Sequence, residues 1–181
     1  MPGVFLRALS MDDFEYVSKW HSDEDLYQTL VGPFRFVSKD AEKEWLQNKV
    51  KYSNQEINLM ICLNENAQPI GMVSVRDIDW IARVGYLSGI FIGESEYQNM
   101  GYGSEALRLI ITHFFQDLGL NRIWASALSF NDSSLKMFEK CGFLVEGHLK
   151  QHAYKSGKFK DVAIVGLCSD RYFEQISETK Q

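Results

Sequence analysis

The hydrophobic positions of the chain repeat with two periods, one typical of helices and one typical of strands. The clearest helical pattern covers Tyr102–Leu118, where apolar residues recur at intervals of three and four and Gly119 follows as a helix-terminating residue. Weaker patterns of the same kind predict three further helices. They cover Met11–His21, Lys39–Tyr52 and a short stretch that Asp132 and Ser133 cap and Gly142 ends.

Seven short β-prone segments separate these helices and predict strands. The segments are Val4–Leu9, Ile57–Leu63, Ile70–Asp79, Tyr86–Ile92, Ile123–Leu128, Phe143–Leu149 and Val162–Cys168. In chain order the elements read β-α-α-β-β-β-α-β-α-β-β, with no linker or repeat between them. This order predicts one α+β, or mixed α/β, domain over residues 1–181.

Composition and charge narrow the class of protein. The hydrophobic fraction of 45% excludes a disordered chain, and the net charge of −5 lacks the basic excess of a nucleic-acid-binding protein. No apolar run approaches the roughly 18–20 residues that cross a bilayer, and the first residues do not form a secretory signal. The three cysteines lie far apart, which argues against a metal site. We therefore expect a soluble, cytoplasmic protein with no metal, nucleic-acid or membrane partner.

The loop before the helix at Tyr102 carries the most specific chemistry, and it reads Gln98-Asn-Met-Gly-Tyr-Gly-Ser104. Gly101 and Gly103 permit tight curvature, and the first N–H groups of a helix have no partners within it. These donors and the helix dipole suit an anion such as a pyrophosphate, whereas a lone G-x-G also fits a plain turn. A P-loop needs Lys followed by Ser or Thr after the glycines, and a dinucleotide-binding loop opens a βαβ unit, so both match poorly.

Two blocks together resemble a known family. The Q-x-x-G-x-G loop that opens an amphipathic helix is similar to the acyl-coenzyme A (acyl-CoA) pyrophosphate loop of the GNAT superfamily of N-acyltransferases. The block from Asn131 to Phe143 resembles that family's N-x-x-[AS]-x-x-x-[YL]-E-K-x-G-F pattern. The segment that begins Glu146-Gly-His-Leu-Lys is similar to the branch of ribosomal-protein N-acetyltransferases (RimJ and RimL type) and bacterial spermidine acetyltransferases. The likeness covers about residues 4–168.

The resemblance implies a GNAT-like fold and a set of cofactor contacts. The fold is a central, mostly antiparallel sheet of six or seven strands with about four flanking helices, whose splayed central strands hold acyl-CoA. The strand backbone that binds the pantetheine arm and polarises the thioester carbonyl is that of Ile90, Phe91 and Ile92. The residues that wrap the pyrophosphate are Gln98, Asn99, Met100, Gly101, Tyr102, Gly103 and Ser104. The residues that line the other side of the cofactor are Asn131, Ser134, Phe138 and Lys140.

The reaction implied is direct attack of a neutral amine on acetyl-CoA, which needs a base for the amine and a proton for the leaving thiolate. Phe138 stands where many relatives have the tyrosine that donates this proton, so Ser134, its neighbour Ser133 and solvent are the alternatives. A serine at this position can equally cap its helix. The base is open between catalytic and structural roles for His148, His152 and Tyr154. Several aromatic residues either wall an acceptor pocket or pack in the core: Trp20, Phe34, Phe36, Trp45 and Trp80.

The sequence thus predicts an acetyl-CoA-dependent N-acetyltransferase. Its acceptor is the primary amine of a small molecule (a polyamine, amino sugar or amino acid) or a protein N-terminus, and a homodimer is compatible with it. Phe138 keeps a second hypothesis open, a non-catalytic CoA-binding sensor or interaction domain. A third hypothesis is a regulator that uses the same loop for another nucleotide.

Overall fold

The computed structural model describes residues 3–179 and is built on one seven-stranded sheet. The strands are β1 Val4–Ala8, β2 Ile57–Leu63, β3 Pro69–Asp79, β4 Val84–Ile92, β5 Arg122–Leu128, β6 Leu144–Lys155 and β7 Lys158–Cys168. Their order across the sheet is β1-β2-β3-β4-β5-β7-β6. Every neighbouring pair is antiparallel except β4 and β5, which run parallel at the centre of the sheet.

Helices cover both faces of the sheet and enclose two main hydrophobic cores. The helices are α1 Phe14–His21, α2 Glu24–Thr29, α3 Lys39–Lys49, α4 Tyr102–Thr112, α5 Asp132–Lys140 and α6 Ser169–Thr179. On one face, α1, α2 and α3 pack around the fully buried Trp20 and Leu46. On the other face, α4, α5 and α6 bury Leu107, Phe138 and Tyr172. Within residues 3–179, none of these helices has the length and apolar character needed to span a membrane.

The order of the seven strands, with the four predicted helices between them, confirms the α+β prediction. The expected total of about four helices is wrong, because six are present among residues 3–179. The helix α2 has six residues and one buried side chain, Leu26, which is too short for a detectable period. The helix α6 continues the chain directly from β7, beyond the last predicted element.

Several boundaries also differ from the sequence prediction. The pattern over Tyr102–Leu118 is α-helical only to Thr112 and then widens into a π-helical turn, His113–Asp117. The last hairpin is longer than predicted, because only Ser156 and Gly157 separate β6 from β7. Both residues have positive φ, as a tight two-residue hairpin turn requires.

Candidate active site

A cleft opens at the centre of the sheet because β4 and β5 pair over only four residues, from Val84 opposite Arg122 to Leu87 opposite Ala125. Beyond Leu87, β4 pairs with β3 alone. Ser88 is an extra residue between two consecutive β3 partners and forms a bulge at the point of divergence. From there to Ile92, alternate N–H and C=O groups of β4 face the gap rather than a neighbouring strand. The cleft has a volume of about 370 Å³.

Three parts of the chain wall this cleft. β4 and β5 form its two sides, with Ser88–Phe91 on one and Ser126 on the other. The face of α5 that carries Ser134, Met137 and Phe138 closes it on the side that leads to α4. The opposite mouth is covered by residues 27 to 32, which comprise the end of α2 and the residues that follow it; we call this the acceptor-side segment.

The loop of residues 98 to 104 has the features of an anion site. Gly101 adopts φ +93°, a left-handed conformation that favours glycine, and stands directly before α4. The first helical bond is donated by Glu105 N to Gly101 O at 3.1 Å. Within residues 3–179, the backbone N–H groups of residues 102, 103 and 104 have no acceptor. Three donors and the positive end of the dipole therefore point out of the same helix end.

This helix end lies next to the cleft. A Cβ atom at Gly103 would come within 3.3 Å of Met137 Sδ and 4.0 Å of Ile92 Cγ1, and Met137 itself lines the cleft. Gln98 Nε2 donates to Ile92 O at 2.9 Å, which ties the loop to the end of β4. The Tyr102 side chain is buried in the core, so this residue presents only its backbone to the loop.

Asn131, rather than the predicted Asp132 and Ser133, caps α5. Its Oδ1 accepts a hydrogen bond from Ser134 N at 3.1 Å, while its Nδ2 donates to Thr29 O at 2.9 Å. Because Asn131 supplies the cap, the Ser134 side chain is left to face the cleft, and its hydroxyl has no hydrogen-bond partner in the described part of the chain. Phe138 lies one turn further along, buried against Phe143 with ring centroids 5.1 Å apart.

The remaining predicted cofactor residues lie at the surface, except for Phe91. Lys140 is exposed in the last turn of α5 and does not line the cleft. Met100 is exposed at the tip of the loop, and Asn99 adopts φ 60° beside it. Phe91 lines the cleft, and its ring packs edge-on against Trp20 in the α1 layer.

The proposed bases and the aromatic wall do not belong to the cleft. His148, on β6, shares a hydrogen bond of 3.1 Å with Ser129 Oγ at the surface, and His152 and Tyr154 are exposed on the same strand. Trp20 is a core residue whose Nε1 donates to Glu94 at 2.9 Å. None of the five aromatic side chains named from the sequence lines the cleft, so core packing or surface exposure describes them instead.

The sequence analysis missed a cluster on the side of the cleft away from α4. Tyr86 on β4 stacks on Trp124 of β5 with ring centroids 4.2 Å apart, and its hydroxyl lies 2.8 Å from Ser126 Oγ. The Arg76 guanidinium, from the adjacent position on β3, lies 5.2 Å from the centre of the Tyr86 ring. The only available signal was strand alternation, which gives each residue a face but does not reveal the cleft.

Lys155 was missed as well. It is 6% exposed, and its Nζ donates to Tyr27 O at 2.7 Å and to Gly32 O at 2.5 Å. Burial lowers the pKa of this ammonium group. The two bonds fix both ends of the acceptor-side segment, and Asn131 fixes its middle at Thr29.

Comparisons with known proteins agree with this geometry. The family model described as an acetyltransferase (GNAT) domain matches residues 4–144. The chain is 25% identical to spermidine N(1)-acetyltransferase of Vibrio cholerae over 173 residues, covering 94% of this chain and 95% of that protein. It is 26% identical to ribosomal-protein-serine acetyltransferase of Escherichia coli, with 80% of each chain covered.

A solved structure shows the same architecture. The fold matches the crystal structure of spermidine N-acetyltransferase from Vibrio cholerae in complex with CoA and spermine with a TM-score of 0.85 and 25% identity, covering 94% of this chain and 98% of that one. The chain therefore belongs to the GNAT acetyltransferase family. It is an acetyl-CoA-dependent N-acetyltransferase, which confirms the activity that the sequence resemblance implied.

Proposed function

We propose that this enzyme transfers acetyl groups to a primary amine inside the cleft between β4 and β5, with acetyl-CoA on the α4–α5 side and the amine on the opposite side. The single observation that carries the proposal is the continuity of the site. An unpaired strand edge leads from the divergence point at Ser88 to the three free N–H groups at the start of α4.

The residues present fit a CoA thioester. The free edge of Ile90–Ile92 can accept the amide-rich pantetheine arm as an added strand. The N–H groups of residues 102 to 104 suit the pyrophosphate, and Gly101 provides the left-handed turn that leads into this helix end. Gln98 holds this loop against β4, and Asn131 shapes the start of α5 beside it.

Acetyl-CoA, when bound, supplies an activated acetyl thioester that a neutral amine attacks directly, with release of the thiol. A backbone N–H of β4 near Ile92 stabilises negative charge on the carbonyl oxygen, as an oxyanion-hole donor does. Ser134 donates the proton or hydrogen bond that the departing thiolate needs, because its hydroxyl faces the cleft and no cap occupies it. Phe138 at the next turn has no proton to give.

The acceptor is a primary amine of a small molecule or of a protein N-terminus. Two relatives support this range, since one is named for spermidine and another for serine of a ribosomal protein. We place the reaction in the cytoplasm, where acetyl-CoA is available; all three cysteines are free thiols, as is usual there. Assembly into a homodimer is compatible with this site and needs a solution measurement.

A thermal-shift titration tests the cofactor assignment. Acetyl-CoA at a hundredfold excess over its Kd should stabilise the fold by about 2.7 kcal/mol and raise the Tm by a few degrees. ATP and NAD at the same concentration should leave the Tm unchanged. A panel of primary amines, with thiol release as the readout, then tests turnover. Selective binding without turnover of any amine would instead favour the CoA-binding sensor.

A further inference from the structure

The charged side chain that lines the acceptor side of the cleft is positive. The cleft-lining residues include one charged side chain, Arg76, and no carboxylate among residues 3–179. The other polar side chains are hydroxyls, including those of Tyr27, Ser126 and Ser134. Lys155 adds a second cation behind the acceptor-side segment, where its ammonium group bonds to two backbone carbonyls.

Three carboxylates near Tyr27 and Arg76 are already paired with other groups. Glu42 is buried behind Tyr27, with its Oε1 2.6 Å from His21 Nδ1. Glu56 accepts a hydrogen bond from Lys49 at 2.6 Å, which with Arg76 keeps its pKa low. Asp77 follows Arg76 in the chain, with 3.5 Å between the ionic groups and a largely exposed side chain. Such an exposed pair contributes little, so the half-exposed guanidinium can still bind another anion.

Arg76 is held beside the cleft by the aromatic ring of Tyr86. Its guanidinium lies over the Tyr86 ring, and the Tyr86 ring is fixed by stacking on Trp124 and by the hydroxyl contact to Ser126. This contact holds the guanidinium beside the ring, and its terminal N–H groups can still donate to a further anion. An arginine supported in this way binds a carboxylate or a phosphate through two parallel hydrogen bonds.

A polyamine does not suit these surroundings. Its reacting amine must be neutral, but its remaining nitrogens carry positive charge at pH 7 and would face Arg76, with no carboxylate among the described residues that line the cleft. In this respect the cleft differs from what a spermidine acetyltransferase needs, although the two folds match closely. An amine that also carries an anionic group would satisfy the guanidinium and keep its own nitrogen free for the reaction.

We propose that the acceptor is a small primary amine that carries a carboxylate or a phosphate, and that Arg76 selects it by binding that anion. This inference rests on the proposed N-acetyltransferase site and names its substrate class. Arg76 is a specificity-determining residue in this reaction, because it contacts the acceptor away from the reacting nitrogen. Tyr86 acts through Arg76 as a positioning residue.

Matched pairs of acceptors test the proposal. The pairs are alanine with alaninamide, β-alanine with its amide, and O-phosphoethanolamine with ethanolamine; spermidine is included as the cationic comparison. We expect kcat/KM for at least one anionic member to exceed that of its neutral partner by about tenfold to a hundredfold, the worth of a hydrogen bond to a charged group. The pair that shows the preference distinguishes a carboxylate from a phosphate.

The variant Arg76→Gln should abolish this preference, raising KM for the anionic acceptor while kcat/KM for the neutral partner changes less than about threefold. Arg108→Gln, an exposed arginine on α4, is the matched control and should keep the preference. Equal rates within every pair, a best rate with spermidine, or an equal loss on both members in Arg76→Gln would overturn the inference while leaving the N-acetyltransferase proposal intact. Binding of acetyl-CoA without turnover of any amine would overturn both.

Discussion

The two sides of the cleft are built from different kinds of groups. On the cofactor side, the contacts offered are mostly backbone: the free edge of β4 and the N–H groups at the start of α4. On the acceptor side, they are side chains from distant parts of the chain, with Arg76 facing the cleft and Lys155 holding the segment that covers it. Side-chain substitutions should therefore change the acceptor readily, whereas cofactor binding should fail only when the backbone path or its surroundings are blocked.

The largest effect is expected from blocking the backbone site on the cofactor side. In Gly103→Asp, a carboxylate would stand at the helix end that we propose for the pyrophosphate, and we expect Kd for acetyl-CoA to rise by at least about a hundredfold. Isothermal titration calorimetry measures this change. The added Cβ meets the flexible Met137 Sδ at 3.3 Å and Ile92 Cγ1 at an ordinary 4.0 Å, so the fold should persist.

Gly103→Ala is the matched control, because it adds the same Cβ without the charge. Its Kd should stay within a few-fold of wild type if the repulsion is electrostatic. An unchanged Kd in a folded Gly103→Asp protein would show that the loop does not hold the pyrophosphate.

The next effect is expected on the acceptor side alone. Lys155→Met removes both bonds to the acceptor-side segment and leaves the carbonyls of Tyr27 and Gly32 unpaired. We expect KM for the amine to rise by roughly tenfold, with Kd for acetyl-CoA unchanged, since unpaired buried carbonyls cost about 1–3 kcal/mol and release the segment. Lys158→Met, an exposed lysine in the same hairpin, should behave as wild type.

A pH series gives an independent test of Lys155. Burial lowers its pKa in the folded protein below 10.5, so the unfolded chain binds this proton more tightly. Folding stability should then increase as pH rises through the window between the lowered value and 10.5, and this contribution should be missing in Lys155→Met. In the substrate measurements, a loss of acetyl-CoA affinity in Lys155→Met as large as the rise in KM for the amine would mean that Lys155 supports the whole cleft.

The same contrast explains what the sequence could predict. The cofactor side lies in two continuous stretches, residues 98–104 and 131–143, so its glycines and its helix start are visible as local patterns. The acceptor side unites Arg76, Tyr86, Ser126 and Lys155 with residues 27–32, and only the sheet order and the bulge at Ser88 bring them together. Lys155 looks like an ordinary hairpin lysine until its two carbonyl partners are known.

Asn131 contacts both sides of the cleft, because it caps α5 and also bonds the acceptor-side segment. Substitutions there should distinguish these two roles, with smaller effects than those of Gly103→Asp and Lys155→Met. Asn131→Asp keeps an oxygen to cap α5 but loses the donor to Thr29 O, and its second oxygen repels that carbonyl. We expect KM for the amine to rise about fivefold with the Tm near wild type, because a carboxylate is favourable at a helix start. Asn131→Ala loses both bonds and should also lower stability by about 1 kcal/mol. Equal Tm values for the two variants would contradict the capping role.

The smallest expected effect concerns the proton donor, where the two sides meet. In Ser134→Ala, we expect kcat to fall only about threefold, since water in an open cleft can supply the proton in place of the hydroxyl. The α5 cap should survive this change because it uses the Ser134 backbone N–H. Adding Phe138→Tyr should restore kcat, since it returns a hydroxyl to the next turn of the same helix face. Rates measured by thiol release across pH separate the outcomes: a Ser134→Ala enzyme with an unaltered kcat and pH profile would exclude Ser134 as the donor.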